Sequence, residues 1–427
     1  MILNREKLLR NGDKELIKAK AAVIDAIEHM LLRIDSYYAT RAALDEYDFS
    51  EYKNLYCACV GKAAVPMAMA VCEKLEPVDG VVATNKRCIE DLCVECIKGS
   101  HPVPDRGSLL AGQKLFELLN SLGEGDLVVF CISGGASAIV EKPYVSLDAL
   151  RKTTQLLLKS DLDIHQINCI RKHISAIKGG KLLKGLSAHV ISFIVSDVID
   201  NDLSSIASGL TWYDDTTFED AMSLIEQRGL KERLPSEVVD LIAQANPDME
   251  TLKKDQFDPQ RVNNIIISSN KHAVSALRRA LSRAGYPSVD TDVSLTCNVH
   301  EASLFFRDYL NRKGRFSLVV GGEVTVDVKG DGKGGRNHEL ALIMSSYLEG
   351  KNALFVAFAT DGKDGSADAA GAIADPTTVY RARKLGLDPD EFLKRNDSYT
   401  FFYTLGDSIV TDDTRTNVTD VYILVKY

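Results

Sequence analysis

The sequence predicts an α/β protein of two domains, and three observations carry that expectation. Short apolar runs alternate with segments of helical period over most of the chain, the pattern of parallel βαβ units. Several of these runs are apolar throughout, as strands buried on both faces of a sheet must be. At about 150 residues per domain, 427 residues make two or three domains. The expected architecture is an N-terminal Rossmann-like parallel sheet flanked by helices and a smaller C-terminal α/β domain, with the active site in the cleft between them.

In chain order, an amphipathic helix is expected at 14–34, then an apolar strand at 55–60 and a helix at 64–74. A strand at 80–84, a helix at 108–119, the apolar strand 127–132 and helix 147–158 follow. Strand 190–196 and helix 218–227 close the first series. Residues 244–263 are polar and charged and carry Pro247 and Pro259, which reads as a connector between domains 1–243 and 264–427. The second series has strands at 264–268, 317–320, 324–329 and 354–359, with helices at 271–284, 302–311 and 337–347. The closing run 421–425 reads as a strand of either domain, since a terminal strand can return to the first sheet.

Composition excludes several classes. Hydrophobic residues make up 45% and charged residues 26%, which argues against disorder, collagen or a coiled-coil rod. Lys plus Arg is 51 and Asp plus Glu is 60, a net charge of -9, so nucleic acid is not an expected partner. The longest largely apolar stretch, 63–72, is far short of the roughly 20 residues that span a bilayer. Residues 1–20 alternate charges of both signs and do not read as a signal peptide, so a cytoplasmic location is expected. Assembly into homo-oligomers stays open. Of nine cysteines, Cys57, Cys59 and Cys131 lie in apolar runs, where a thiol acts as a small hydrophobe. Cys93 and Cys96 form a lone CxxC near Cys88. Free thiols are favoured there, a disulfide next and a metal last.

Ligands of open parallel sheets bind beyond the carboxyl ends of the strands, and here those ends are rich in chemistry. Strand 55–60 runs into Gly61-Lys62-Ala63-Ala64, a glycine turn with an ammonium at a helix start. Strand 127–132 runs into Ser133-Gly134-Gly135-Ala136-Ser137-Ala138, small enough for backbone amides to approach a phosphate or carboxylate. The order is not the GxSxG of a serine hydrolase. Asp197 follows strand 190–196, with Asp200 and Asp202 beyond it, carboxylates suited to Mg²⁺ or to orienting a hydroxyl.

In the second series Gly321-Gly322-Glu323 follows a strand. The run Gly330-Asp331-Gly332-Lys333-Gly334-Gly335-Arg336-Asn337 leads into a helix and reads as an anion cradle ending in a bidentate donor. Its literal GxGxxG is weak evidence for a dinucleotide. Asp361 and Asp364 lie in a glycine-opened loop suited to a hydrated Mg²⁺. His101 and His173 read as satisfied structural histidines, while Arg171, Lys172 and Lys178 form a local positive patch that would steer an anion. This inventory fits phosphoryl transfer to a small anionic acceptor.

The order of motifs resembles the class II glycerate kinases, whose C-terminal half is the MOFRL domain. The resemblance is carried by Gly61–Ala64, His101-Pro102-Val103-Pro104-Asp105, Ser133–Ala138, Arg171-Lys172-His173 through Lys178-Gly179-Gly180, and Ser196-Asp197-Val198. In the second half it continues with Ile206-Ala207-Ser208-Gly209, Gly321–Glu323, Gly334–Asn337, Asp361-Gly362 with Asp364-Gly365, and Asn396-Asp397-Ser398 with Thr416-Asn417-Val418.

The resemblance implies ATP- and Mg²⁺-dependent phosphorylation of glycerate, most often at the 2-hydroxyl. It places the catalytic cations on Lys62 and Arg336, with Asp197 orienting or deprotonating the hydroxyl. Substrate or phosphate falls to Ser133, Gly134, Gly135, Ala136, Ser137, Lys178, Glu323 and Asn337, nucleotide to Gly332, Gly334 and Gly335, and metal to Asp361 and Asp364. The chain departs from the family pattern at Ile199-Asp200-Asn201-Asp202, at Leu210 and at Asp412-Asp413-Thr414-Arg415. Two other readings are an NAD(P)H-dependent hydroxypyruvate reductase using Gly330–Gly335 and a silent sugar-acid-binding module.

Overall fold

The computed structural model describes residues Met1–Tyr427. The chain forms two compact units: a central one, Ser36–Ile267, and a terminal one in which Met1–Asp35 joins Ser268–Tyr427.

The central unit is built on β1 (Asn54–Val60), β2 (Asp79–Thr84), β3 (Glu95–Lys98), β4 (Asp126–Ser133), β5 (His189–Val195) and β6 (Val262–Ser268), in the order 3-2-1-4-5-6. The pairs β1/β2, β2/β3, β1/β4 and β4/β5 are parallel. The apolar sequence of β4 is explained by burial of all eight of its residues. Helices start where the sequence supplies caps: Asp105 and Ser108 cap Arg106–Asn120 reciprocally, as Asp163 and Gln166 do for Ile164–His173. The register from Asn54↔Asp126 to Val60↔Ile132 brings Gly61 and Ser133 out side by side. That is the switch point of the sheet, where the winding reverses.

Residues 244–263 do not form a free connector. Leu252 is buried, donates its amide to Gly179 O at 2.9 Å and accepts from the Asp214 amide at 2.8 Å. Arg261 O accepts from the Val190 amide at 2.9 Å, and Val262 opens β6 of the first sheet. The polar composition hid a few anchoring residues, and the central unit runs on to Ile267.

The terminal unit carries β7 (Ser288–Val289), β8 (Ser294–Leu295), β9 (Phe316–Gly322), β10 (Ala353–Ala359), β11 (Gly371–Ala374), β12 (Ser408–Ile409) and β13 (Asp420–Lys426). Their order is 12-11-10-13-9-7, with β8 beside β9. β13 is antiparallel to both β9 and β10, so the closing strand completes this sheet and does not return to the first. What crosses is the N-terminus. Helix Lys14–Ile34 starts at Asp13, whose carboxylate accepts from the Leu16 amide at 2.9 Å. Its buried stripe, including Leu16, Val23, Ile27, Met30 and Ile34, packs on helix Asn270–Arg283 and on β10. Lys20, fully buried in that stripe, pairs with Asp375 at 2.6 Å.

Segment 324–329 is not the expected strand. Thr325 makes one isolated bridge to Asn298, Val328 is 74% exposed, and Asn396 takes the amides of Lys329 and Gly330. The cysteines also depart from expectation: Cys72 pairs with Cys93 and Cys88 with Cys96, with Cα separations of 5.7 and 5.8 Å. Each half of the CxxC thus bonds a sulfur outside it, because helix Ala64–Leu75 and the loop after β2 carry Cys72 and Cys88 to the β3 edge. Cys57, Cys59 and Cys131 are buried free thiols. No helix is long and apolar enough to cross a membrane.

Candidate active site

At the switch point the two strand ends are tied together. Ser133 Oγ accepts from the Ala63 amide at 3.0 Å and donates to Val60 O at 3.2 Å, while the Lys62 amide donates to Gly134 O at 2.9 Å. The Ser133 hydroxyl, buried and doubly bonded, is therefore a structural pin between the two strand ends. Gly134 and Gly135 present bare backbone against which functional side chains crowd. A β-carbon at Gly134 would lie 2.8 Å from Asp197 Cγ, and one at Gly135, whose φ is +81°, would lie 3.1 Å from His101 Cδ2 and 3.2 Å from Lys62 Cε. Arg171 Nη2 donates to Ser137 O at 2.7 Å. Ala136 is buried and Ser137 half-buried beside them.

This gathers Lys62, His101 and Arg171, with the Asp197 carboxylate, around one glycine loop. Partial burial first, then the charges of Lys62 and Arg171, lower the His101 imidazole to about 4. It is neutral at pH 7, and the positive charge there rests on Lys62 and Arg171. A site of this kind draws an anion to the cations and leaves a carboxylate to meet a hydroxyl. His101 reads in the sequence as a structural histidine, yet it stands against the Gly135 backbone beside Lys62; its place in a glycine-proline turn after a strand is the signal for that position.

The rest of the expected basic patch is internal. Lys178 is fully buried against Glu141, which also accepts from Ser175 Oγ at 2.5 Å. Burial holds the Lys178 ammonium down at about 8. Lys172 pairs with buried Asp214 at 2.8 Å and His173 Nε2 bonds Glu250 at 2.9 Å. None of the three faces a ligand, because each is consumed by a partner inside the fold.

In the terminal unit the glycine run is not an open cradle. The amides of Gly330, Gly332, Lys333 and Gly334 donate to Asn396 Oδ1, Arg395 O, Asp397 Oδ1 and Ser366 Oγ. β-Carbons there would meet the 395–398 segment, 2.6 Å from Arg395 Cα at Gly330 and 2.5 Å from Ser398 Oγ at Gly334. The dense glycines serve close chain packing, so the nucleotide contacts expected at Gly332 and Gly334 have no free amide behind them, and a β-carbon at Gly335 would lie 2.5 Å from Asp364 Cγ. What this segment presents is Arg336, about one-third exposed, with Nε bonded to Asp420 Oδ2 at 2.5 Å and Nη1 in an ion pair with the exposed Glu323 at 2.8 Å. Burial works to lower the guanidinium pKa, and Asp420 and Glu323 more than offset it.

The expected metal pair does not fit. Asp364 is buried, and its two oxygens accept from the amides of Asn337 and His338 and from the side chains Asn337 Nδ2 and His338 Nδ1, at 2.7–3.2 Å. It caps helix Arg336–Leu348, which also explains the burial of Asn337, and has no lone pair turned outward. Asp361 is exposed and accepts from the Lys363 amide at 3.0 Å. Among the departures, Asp202 closes a turn on Ser204 and Ser205, Asp412 meets the N-terminal amine, and Arg415 pairs with Asp35 at 2.6 Å. These charges are spent within the fold.

Fold and strand ends define a doubly wound α/β unit whose switch point is furnished for a small anion, joined in one chain to a mixed-sheet unit that displays a clamped arginine. The comparisons agree with that make-up. Residues 17–243 match the model of a domain of unknown function, DUF4147, and residues 316–420 match the MOFRL family. A glycerate 2-kinase of Pyrococcus horikoshii is 38% identical over 392 residues, 88% of each chain, and a putative hydroxypyruvate reductase of Agrobacterium vitis is 36% identical over 378 residues, 84% of each. A crystal structure of a glycerate kinase from Thermotoga maritima superposes with a TM-score of 0.86 at 33% identity, covering 96% of this chain and 99% of that one. The chain belongs to the class II glycerate kinase family.

Proposed function

We propose that this protein transfers the γ-phosphoryl group of ATP to the 2-hydroxyl of D-glycerate, giving 2-phosphoglycerate and ADP. The observation that carries the reading is the convergence of Lys62, His101 and Asp197 on the bare Gly134–Gly135 backbone at the switch point. A kinase for a carboxylated alcohol needs cations for the carboxylate and phosphates and a base for the hydroxyl. Lys62 supplies charge at the switch point, and Arg336 is the second cation of the reaction. Asp197 accepts the hydroxyl proton as the glycerate oxygen bonds phosphorus and the bond to the ADP oxygen breaks. Of the two carboxylates expected to hold magnesium, Asp361 alone is exposed and would be the one to meet an ion carried by the nucleotide phosphates, whose charge that ion would neutralise; Asp364 is not part of that contact.

The reductase reading loses support at Gly330–Gly335, where the amides of Gly330, Gly332, Lys333 and Gly334 are already bonded within the chain. The test is product analysis with ATP, Mg²⁺ and D-glycerate, resolving 2- from 3-phosphoglycerate, with NAD(P)H oxidation by hydroxypyruvate followed in parallel. ADP-coupled formation of 2-phosphoglycerate is expected. Hydroxypyruvate-dependent oxidation without phosphorylation would overturn the proposal.

A further inference from the structure

The turn that opens β13 is held more firmly than a strand entry requires. Thr419 sits in the left-handed region at φ +67°, a costly conformation for a β-branched residue. Two side chains pin it: Asn270 Nδ2 donates to Val418 O, Thr419 Oγ1 and Asp420 O at 2.8–3.0 Å, and Thr360 Oγ1 donates to Thr419 O at 2.6 Å while accepting from the Val418 amide at 2.9 Å. The outcome of this arrangement is the placement of one side chain, Asp420, 1% exposed at the head of a buried strand.

We infer that Asp420 is a positioning residue for phosphoryl transfer, clamping the side of the Arg336 guanidinium so that its outer edge faces the transferring group. The inference rests on the proposed kinase reading and goes beyond it. Asp420 Oδ2 accepts from Nε at 2.5 Å and Oδ1 from Nη2 at 3.3 Å, the side-on bidentate geometry. Of the five guanidinium N–H donors, Asp420 takes the Nε–H and one on Nη2, while Glu323 Oε1 stands 2.8 Å from Nη1 as an ion pair. The second N–H of Nη2 is turned away from Asp420, toward the end-on edge that matches a carboxylate or phosphate. Tyr422 supports the clamp from below, its hydroxyl donating to Asp420 Oδ2 at 3.3 Å and accepting from the Val324 amide at 3.1 Å. Burial presses the Asp420 carboxyl upward, to about 7, so the adjoining guanidinium is what favours its ionised form.

The test is a double-mutant cycle read in kcat and KM, with D420N, D420E, R336A and R336A/D420N measured beside the unaltered protein. A clamp acting through Arg336 predicts a kcat loss of about 100-fold in D420N, partial recovery in D420E, and almost no further loss when D420N is added to R336A. A purely structural role predicts independent losses that multiply in the double variant. Added methylguanidinium supplies a second readout: rescue of R336A that is weaker in R336A/D420E supports the clamp even if D420N does not fold. Multiplying losses, kcat within threefold in D420N, or equal rescue in both backgrounds would each overturn it. The rate of the unaltered protein in the same series reads phosphoryl transfer itself, so failure of the kinase reading shows there and not in the cycle.

Discussion

Replacing Gly134 by alanine probes the switch point with one carbon atom. The added β-carbon would lie 2.8 Å from Asp197 Cγ and 3.3 Å from its Cβ, where ordinary contact begins at 3.4 Å. The carboxylate must therefore move by about 0.6 Å at Cγ, and further at its oxygens. The backbone at Gly134 is not left-handed, so the fold loses little beyond an off-rotamer Asp197, about 0.5–1.5 kcal/mol. A misplacement near 1 Å costs a reaction ~100-fold, equivalent to about 2.7 kcal/mol of barrier at 1.36 kcal/mol per tenfold. The assay is steady-state ADP release with glycerate, paired with a thermal melt. G61A is the control of opposite character: its β-carbon would lie 2.8 Å from the Ser133 carbonyl carbon at a φ of +118°, so it should lower the melting temperature first. A G134A protein that melts normally and keeps kcat within threefold would remove Asp197 from the reaction.

Three further outcomes follow from the geometry. Binding of inorganic phosphate or glycerate at the switch point should raise the His101 pKa from about 4, because an anion stabilises the imidazolium; ¹H–¹⁵N NMR titration with and without ligand reads this, and an unmoved value would put the anion elsewhere. K178M should destabilise the protein by about 3–5 kcal/mol by leaving Glu141 buried without its partner, seen as a lower denaturant midpoint; an unchanged midpoint would return Lys178 to a ligand role. Thiol alkylation of the denatured, unreduced protein should label five of the nine cysteines by mass spectrometry, and labelling of all nine would exclude both disulfides.

The parts of this molecule that were legible in its sequence are those governed by local rules. Apolar runs ending in Gly61-Lys62 and Ser133-Gly134-Gly135 marked both the strands and the switch point, because a strand buried on two faces writes its own boundaries. Burial of charge was not legible. Lys178 and Asp364 look in the sequence like any ligand-seeking ion, and only the fold shows Glu141 against one and the start of a helix against the other. Glycine density at 330–335 has two causes, ligand approach and chain approach, and spacing does not separate them. The assignment of residues 1–35 failed for a related reason: nearness in sequence argued for the first sheet, whereas the apolar stripe of Lys14–Ile34 found its complement about 250 residues later.

That last pairing has a bearing on how the chain is made. Synthesis releases the helix of residues 14–34 first, yet its partners, Asn270–Arg283 and β10, emerge only after the whole central unit has passed. At about 5–20 residues per second, the wait is tens of seconds at the slower rate, during which an amphipathic helix with a wide apolar stripe has nothing of its own to cover it. The central unit, being contiguous, is under no such delay. The nascent protein therefore resembles a finished domain inserted into an unfinished one, and the interval before residue 359 leaves the exit channel is when it is most exposed to chaperones and to other chains.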